Sequence, residues 1–257
     1  MSIFDDWFGI TTEAVNGHDY TALNLLDENV ESAASDIAQV VPDYYIAPES
    51  IARTLDRLGK PAAARKLRAK LPQTKSLRSG DLGEVLATEY IDSQTEFEVP
   101  IKKLRWHDHR EMAMRGDDVI GIMIPDNGDR PHFLKTEAKS RVALGRQVLN
   151  EAREALDDDE GRPAPHALAF VADRLREGGN TELADILDDA QWKQGISVQQ
   201  MKHLLFTFTR SNPDNLQKEI LEAYDGDVEQ HAAGLRVTTH QQFIANVFEE
   251  IENGLDD

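Results

Sequence analysis

The 257 residues contain no cysteine, which excludes disulfides, thiolate metal sites and cysteine nucleophiles. No run approaches the ~18 apolar residues that a membrane-spanning helix requires. Met1 to Ile10 carries Asp5 and Asp6 but no lysine or arginine, so the charged start of a secretory signal is lacking. Together these absences predict a soluble, cytoplasmic protein with no membrane partner. Also missing are a glycine-rich phosphate loop, a Gly-x-Ser-x-Gly elbow and a Cys-x-x-Cys pair, which argues against an NTPase, a serine hydrolase and a zinc ribbon. Positive charge is scarce: 28 basic residues face 47 acids, a net charge of -19. That sign is wrong for gripping a phosphate backbone.

The distribution of charge changes that conclusion. Residues 1–50 hold ten acids and no lysine or arginine, and residues 147–257 hold 23 acids against nine basic residues. Residues 51–146 hold 19 basic residues against 14 acids, so this block alone is positive, at +5. The acidic ends suit a solvated surface, adaptation to high salt, or a face that docks a basic partner or shields the basic centre from DNA.

What is present at that centre is a hairpin signal. Asp126-Asn127-Gly128-Asp129 lies between the expected strands Asp118–Ile124 and His132–Ser140, and Asn-Gly flanked by hydrophobic residues marks a tight turn. With Asn127 and Gly128 as the loop, opposed residues have numbers summing to 255, so Asp118 faces Glu137 with Cβ atoms about 5 Å apart. Period-two alternation puts Lys139 on the same face as Glu137. Parity favours Asp118 over Asp117, which is left to cap the strand or face away. Pro125 and Pro131 flank the turn and blur the register by a residue. Acid-x-lysine triplets are weak signals, since roughly two are expected by chance in a chain this acidic. Glu137-Ala138-Lys139 is the single instance, and its weight comes from the strand context and the opposed acid.

Around the hairpin the pattern predicts mixed α/β structure. Residues up to Val41 show weak helical periodicity, and Pro42 and Pro48 bracket Tyr44-Tyr45-Ile46 as a boundary or lid. A basic helix pair is expected over Glu49–Leu71. Ser79 to Glu84 reads as the opening of a helix, with Glu84 in its first turn, where a glutamate more often answers the helix dipole than catalyses. Strands are expected over Thr95–Leu104, at an edge or bulge because of Pro100, over His203–Thr209, and briefly over Leu235–Val237. Helices are expected over Val142–Leu156, His166–Glu177, Thr181–Gln191, Pro213–Tyr224 and Thr239–Asn253. His107-Asp108-His109 has no second ligand cluster, and His203 and His240 stand alone, so all read as structural.

A helix with an acid, mostly antiparallel strands carrying an acid and then acid-x-lysine, and a following helix resemble the core of the PD-(D/E)XK nucleases. Gly80-Asp81-Leu82-Gly83-Glu84, Arg115-Gly116-Asp117-Asp118-Val119-Ile120-Gly121 and Glu137-Ala138-Lys139-Ser140-Arg141 resemble, more narrowly, the HamA family of Hachiman anti-phage systems, to whose broader group AbpA belongs. The resemblance spans residues 50–255, with its motifs confined to 80–147. It implies a restriction-endonuclease-like mixed sheet flanked by helices, with an acidic segment and basic helix pair over 1–75, the nuclease core over 76–257, and a helical insertion about 160–195. It implies a metal-dependent DNase that uses Mg2+ or Mn2+ and is restrained by a superfamily 2 helicase of the HamB kind. Asp118, Glu137 and Glu84 would hold the metal, Lys139 would act on water or phosphate, and Gln147 would face back along the next helix. Arg115, Lys135, Arg141, Arg146, Lys102 and Lys103 would contact DNA. A different class remains open: an idle adaptor that holds a helicase and binds DNA.

Overall fold

The computed structural model describes residues 3–107, 109–110, 116–126 and 130–256. Six strands form one sheet: β1 (Phe8–Val15), β2 (His18–Leu25), β3 (Val119–Met123), β4 (His132–Arg141), β5 (Met201–Thr209) and β6 (Glu229–Arg236), in the order β1-β2-β6-β5-β4-β3. The inner pairings β2–β6, β6–β5 and β5–β4 are parallel, while β1 and β3 run antiparallel at the two edges. The fold is therefore α/β with a mixed sheet, although the run of mostly antiparallel strands expected from the sequence is not what forms. Parallel neighbours need long crossovers. These are supplied by α7 (Arg146–Asp157), α8 (Pro165–Glu177) and α9 (Thr181–Asp188) between β4 and β5, and by α10 (Asp214–Ala223) between β5 and β6.

The sheet is covered on both faces, so β5 is buried nearly throughout, as an inner parallel strand should be. Leu204, Phe206 and Phe208 of β5 face α2 (Val30–Val40), α6 (Lys75–Gln94) and α11 (His240–Gly254) in the main core. Leu205, on the opposite face, packs with Leu149, Ala152 and Leu156 of α7 and with Ile220 and Leu221 of α10. A separate cluster joins Ile120, Ile122 and Phe133 to α8 and α9. The short helices α1 (Ile3–Trp7) and α3 (Pro42–Tyr45), with the pair α4 (Pro48–Leu58) and α5 (Lys60–Lys70), complete the chain. Among the described residues no helix is long and apolar enough to cross a membrane.

Three local expectations need correction. The N-terminal segment is not helical up to Val41, because residues 8–25 form a hairpin closed by Asn16-Gly17, with φ of 51° and 81° and Val15 opposite His18. Such paired positive φ angles are what a two-residue hairpin loop demands. The signal was weak because β1 is an edge strand whose exposed Thr11, Thr12 and Glu13 break the apolar alternation. This hairpin also places two of the six strands before residue 76. Second, α6 starts at Lys75, where the Thr74 side chain accepts the Leu77 N–H, so Glu84 stands in the third turn rather than the first. Gly83 sits inside the helix because α6 lies against β4, and a Cβ there would be 3.2 Å from Ser140 Cβ. Third, Thr95–Leu104 makes a single bridge, Glu98 to Ile122, in place of a strand. Pro100 lacks the N–H that a ladder would need, and Lys103–Trp106 turn into a 3-10 helix.

Candidate active site

The β3–β4 ladder pairs Val119 with Thr136, Ile120 with Lys135 and Met123 with His132, so every pair sums to the expected 255. The ladder stops at Met123 and His132, which leaves eight residues between the strands, and Asn127 and Gly128 lie outside the described residues. At its other end β3 stops at Val119, while β4 stays paired with β5 as far as Arg141. Among the described residues, no strand therefore pairs with the β3 side of β4 from Glu137 onward. Asp118 fills the gap: its carboxylate accepts the N–H of Ala138 at 2.9 Å, where another strand residue would otherwise supply a carbonyl. Lys139 Nζ donates to the Glu137 carboxylate on the same face of β4.

Glu84 reaches this opening from α6. Burial pushes its carboxyl up to about 8; Lys103 pulls it down, and the charges of Asp118, Asp81 and Glu137 push it further up. Glu137 is also raised, first by burial and then by Asp118, against the opposing effect of Lys139. Like charges at one buried place raise one another's pKa, because ionising all of them without compensation is costly. The group lies beside a cavity of about 220 Å³ whose lining includes Glu84, Lys103, Asp117 and Asp118.

The other expected site residues fall elsewhere. Asp117 is buried; its carboxylate accepts the Ala164 N–H at 2.7 Å and lies 3.7 Å from Lys135 Nζ. Lys135, expected at a DNA surface, is itself buried and donates to the Asp158 carbonyl at 2.7 Å, because its strand position points it under the turn that follows α7. Lys103 Nζ donates to the Asp117 carbonyl at 2.7 Å and so remains at the acidic group. Lys102 sits over the Tyr44 ring, 4.2 Å from its centroid. Arg141 is exposed and donates to the Ser140 carbonyl; Arg146 is exposed and ion-paired with Glu219. Gln147 is exposed in the first turn of α7, with its amide on Glu151 at 2.9 Å. Arg115 and Asp108 lie outside the described residues.

Sequence reasoning missed Asp81, which is buried and accepts the Tyr45 hydroxyl at 2.8 Å, and it missed the cavity. A faint signal existed for the cavity, because Val99 and Ile101 are apolar at alternate positions but have no complete strand to belong to.

The donor set at the opening suits a hard divalent cation. Carboxylate oxygens are the preferred ligands, and Mg2+ commonly takes only one or two of them, with water and substrate phosphate completing the shell. Among the described residues no three carboxylate or imidazole groups already converge as a metal cage. The residues present fit a cation held by Asp118 and Glu137, which would also relieve the repulsion that lifts Glu84 and Glu137.

Sequence comparison points the same way as the motifs. A sequence model of the HamA family matches residues 1–251. The chain is 26% identical over 184 residues to Hachiman protein HamA of Bacillus cereus, an alignment that covers 72% of the chain and 64% of that relative. It thus spans somewhat under two thirds of the curated relative's length.

Proposed function

The chain belongs to the HamA family, and from that premise we propose that it is the DNase effector of an anti-phage defence complex. In this reading it hydrolyses DNA phosphodiester bonds at the open end of the β3–β4 hairpin, on a restriction-endonuclease-like core, and it works with a superfamily 2 helicase. The observation that carries the reading is the meeting of Asp118, Glu137 and Lys139 where β4 loses its β3 neighbour. Backbone N–H and C=O groups at a strand edge, with acids of both neighbouring segments, give a site that a phosphate can approach without disturbing the sheet.

The roles follow from the side chains. Asp118 and Glu137 would hold Mg2+ or Mn2+, which when bound supplies charge neutralisation at the phosphate and activation of water. Asp118 is fixed by the Ala138 N–H, so its free oxygen is oriented in advance. Lys139 is tethered to Glu137. Once that carboxylate is engaged elsewhere, the ammonium is released to face the phosphate, where a compact mobile charge is well suited to stabilising developing negative charge. Glu84 stands beside these acids on α6, its carboxyl raised by burial, where it would contact a second metal ion or orient water. The strongly acidic chain has little backbone grip of its own, in keeping with a partner that brings the DNA.

A second reading is that of an adaptor that binds helicase and DNA without cleaving. The Glu137–Lys139 ion pair, which occupies the carboxylate a metal would need, favours it. Plasmid degradation with Mg2+, by the chain alone and with its helicase, separates the two. Loss of degradation in Glu137→Ala and Lys139→Ala is expected. Degradation that ignores both substitutions sinks the active-site assignment, and an intact helicase complex that never cleaves favours the adaptor.

A further inference from the structure

The cavity beside the acidic group has walls that the chemistry above does not use. Its lining is mostly apolar, with Val99, Ile101 and Phe170 only half-buried where they line it, and it also carries Glu84, Asp117, Asp118, Lys103, Thr88 and His166. It lies at the seam between two hydrophobic clusters, since Val99 packs with the main core while Ile101 and Phe170 pack with the α8–α9 cluster. The walls are held in place. Trp106 meets the Phe170 ring edge-on at 5.8 Å, and the Tyr44 hydroxyl is tied to Glu89 at 2.7 Å. At 220 Å³ the space is below the roughly 300–1,000 Å³ of drug-sized pockets. It therefore suits one ring system and not a peptide side or an acyl chain.

A phosphodiester substrate offers one apolar, flat part, which is its nucleobase. We infer that this cavity receives an unpaired nucleobase next to the phosphate held at Asp118 and Glu137, which makes the site selective for single-stranded or frayed DNA. The inference rests on the nuclease reading above. In a duplex the bases are paired and stacked, so none can enter without first being drawn out. An unpaired base exchanges water for Val99, Ile101 and the Phe170 ring, and base–aromatic stacking is tolerant of sequence because every base has a π face. Selectivity for strandedness then arises from the shape of the chain itself, and unwinding by a helicase would present the substrate that fits.

Fluorescence anisotropy in EDTA separates binding from cleavage. The full chain is titrated with a labelled 12-nucleotide single strand, with the same length of abasic strand, and with the corresponding duplex. The base-bearing strand is expected to bind about tenfold more tightly than the other two. Ala167→Phe, which fills the cavity, and Phe170→Leu, which removes the ring, are expected to erase that difference. Each variant is used only if its thermal melting shows a cooperative fold. Equal affinity for base-bearing and abasic strands overturns the inference, as does a difference that survives Ala167→Phe. Cleavage that still depends on Glu137 while the affinities are equal removes the cavity's role and leaves the nuclease reading intact. Absence of binding to every DNA at low salt overturns the inference, while the nuclease reading stands or falls on degradation with the helicase present.

Discussion

The sheet ends in two hairpins that make an informative pair. The first, β1–β2, is closed by Asn16-Gly17 as a two-residue turn, and its strands stay in register from Phe8↔Leu25 to Val15↔His18. The second, β3–β4, has a shorter ladder, and β4 runs on beyond its partner. In the first hairpin the acids are spread out: Glu13 faces Tyr20 and Asp19 faces Ala14. In the second, the register carries Asp118 to the place opposite Glu137. Directly opposed like charges are destabilising, and the carboxyl of Glu137 is raised first by burial and then by Asp118. One hairpin satisfies its ladder, while the other leaves part of it open and fills the opening with acids. Unsatisfied local preference of this kind is where chemistry is found.

The widest contrast is in activity. Glu137→Gln is expected to lower Mg2+-dependent DNA degradation by at least about 100-fold, the scale of losing one charged group at a reacting centre. Asp19→Asn, its counterpart in the first hairpin, is expected to leave the rate unchanged. Equal effects in a plasmid-degradation assay would erase the distinction between the two hairpins. Removing divalent metal with EDTA should abolish degradation by the unmodified chain altogether, and activity that persists in EDTA would exclude the metal reading.

The next contrast is thermodynamic and concerns how the first hairpin is anchored. His231 of β6 shares its Nε2 with the Thr21 hydroxyl of β2 at 3.1 Å and the Tyr90 hydroxyl at 3.0 Å. Burial lowers its pKa to about 4, from 6.5 in the unfolded chain. The folded protein therefore keeps His231 neutral while the unfolded chain gains a proton below 6.5. Stability is fully present above that pH and is lost as pH falls toward 4, by about 2 kcal/mol at pH 5. Raised acids such as Glu84 and Asp92 act in the opposite sense, since protonation favours their folded forms. The clean measurement is thus the difference between His231→Gln and the unmodified chain in denaturant melts. That difference should move in favour of the variant between pH 7.5 and 5; a difference independent of pH refutes the assignment.

How much of this was legible in the chain differs between the two hairpins for physical reasons. The register of β3–β4 followed from one dipeptide, because apolar runs on both sides of Asn127-Gly128 bounded the strands, and the ladder has the expected pairs. The same dipeptide at Asn16-Gly17 passed unnoticed. Its strand β1 is solvent-facing over Thr11, Thr12 and Glu13, so the burial that would have imposed alternation is missing. The side chains that surround Glu84 could not be found by spacing, because Gly80 and Gly83 imitate a helix start. Gly83 is in fact a small residue where α6 lies close to β4, while Gly80 has open space beside it. Lys135 illustrates the remaining limit. It has the same parity as Glu137 and Lys139, yet the backbone after α7 covers it, so a surface role that sequence alone suggested is replaced by a buried bond to Asp158. Parity says which face a side chain takes, and only the crossover helices decide whether that face meets solvent.

The smallest effect offers the closest comparison, between Gly17 in the turn of the first hairpin and Gly116 just before β3, both in the left-handed region. Gly17 has φ of 81° and no atom within 4 Å of an added Cβ. Gly17→Ala therefore costs only the backbone strain, about 1 kcal/mol, and should leave DNA degradation untouched. Gly116 has φ of 89°, but an added Cβ would lie 2.9 Å from His166 Nε2 and 3.3 Å from Ala167 Cβ. Gly116→Ala must pay the same strain and also displace α8 or the backbone that enters Asp117 and Asp118. Asp117 is bonded to the Ala164 N–H at the head of α8, and Asp118 to the Ala138 N–H, so neither can follow without loss. The two variants should thus melt within about 1–2 kcal/mol of each other, while only Gly116→Ala slows degradation. If both are fully active, the position of Asp118 tolerates movement, and the opening at the end of β3 is less demanding than its geometry implies. If Gly17→Ala alone is impaired, the first hairpin carries a part of the chemistry that its satisfied ladder does not reveal.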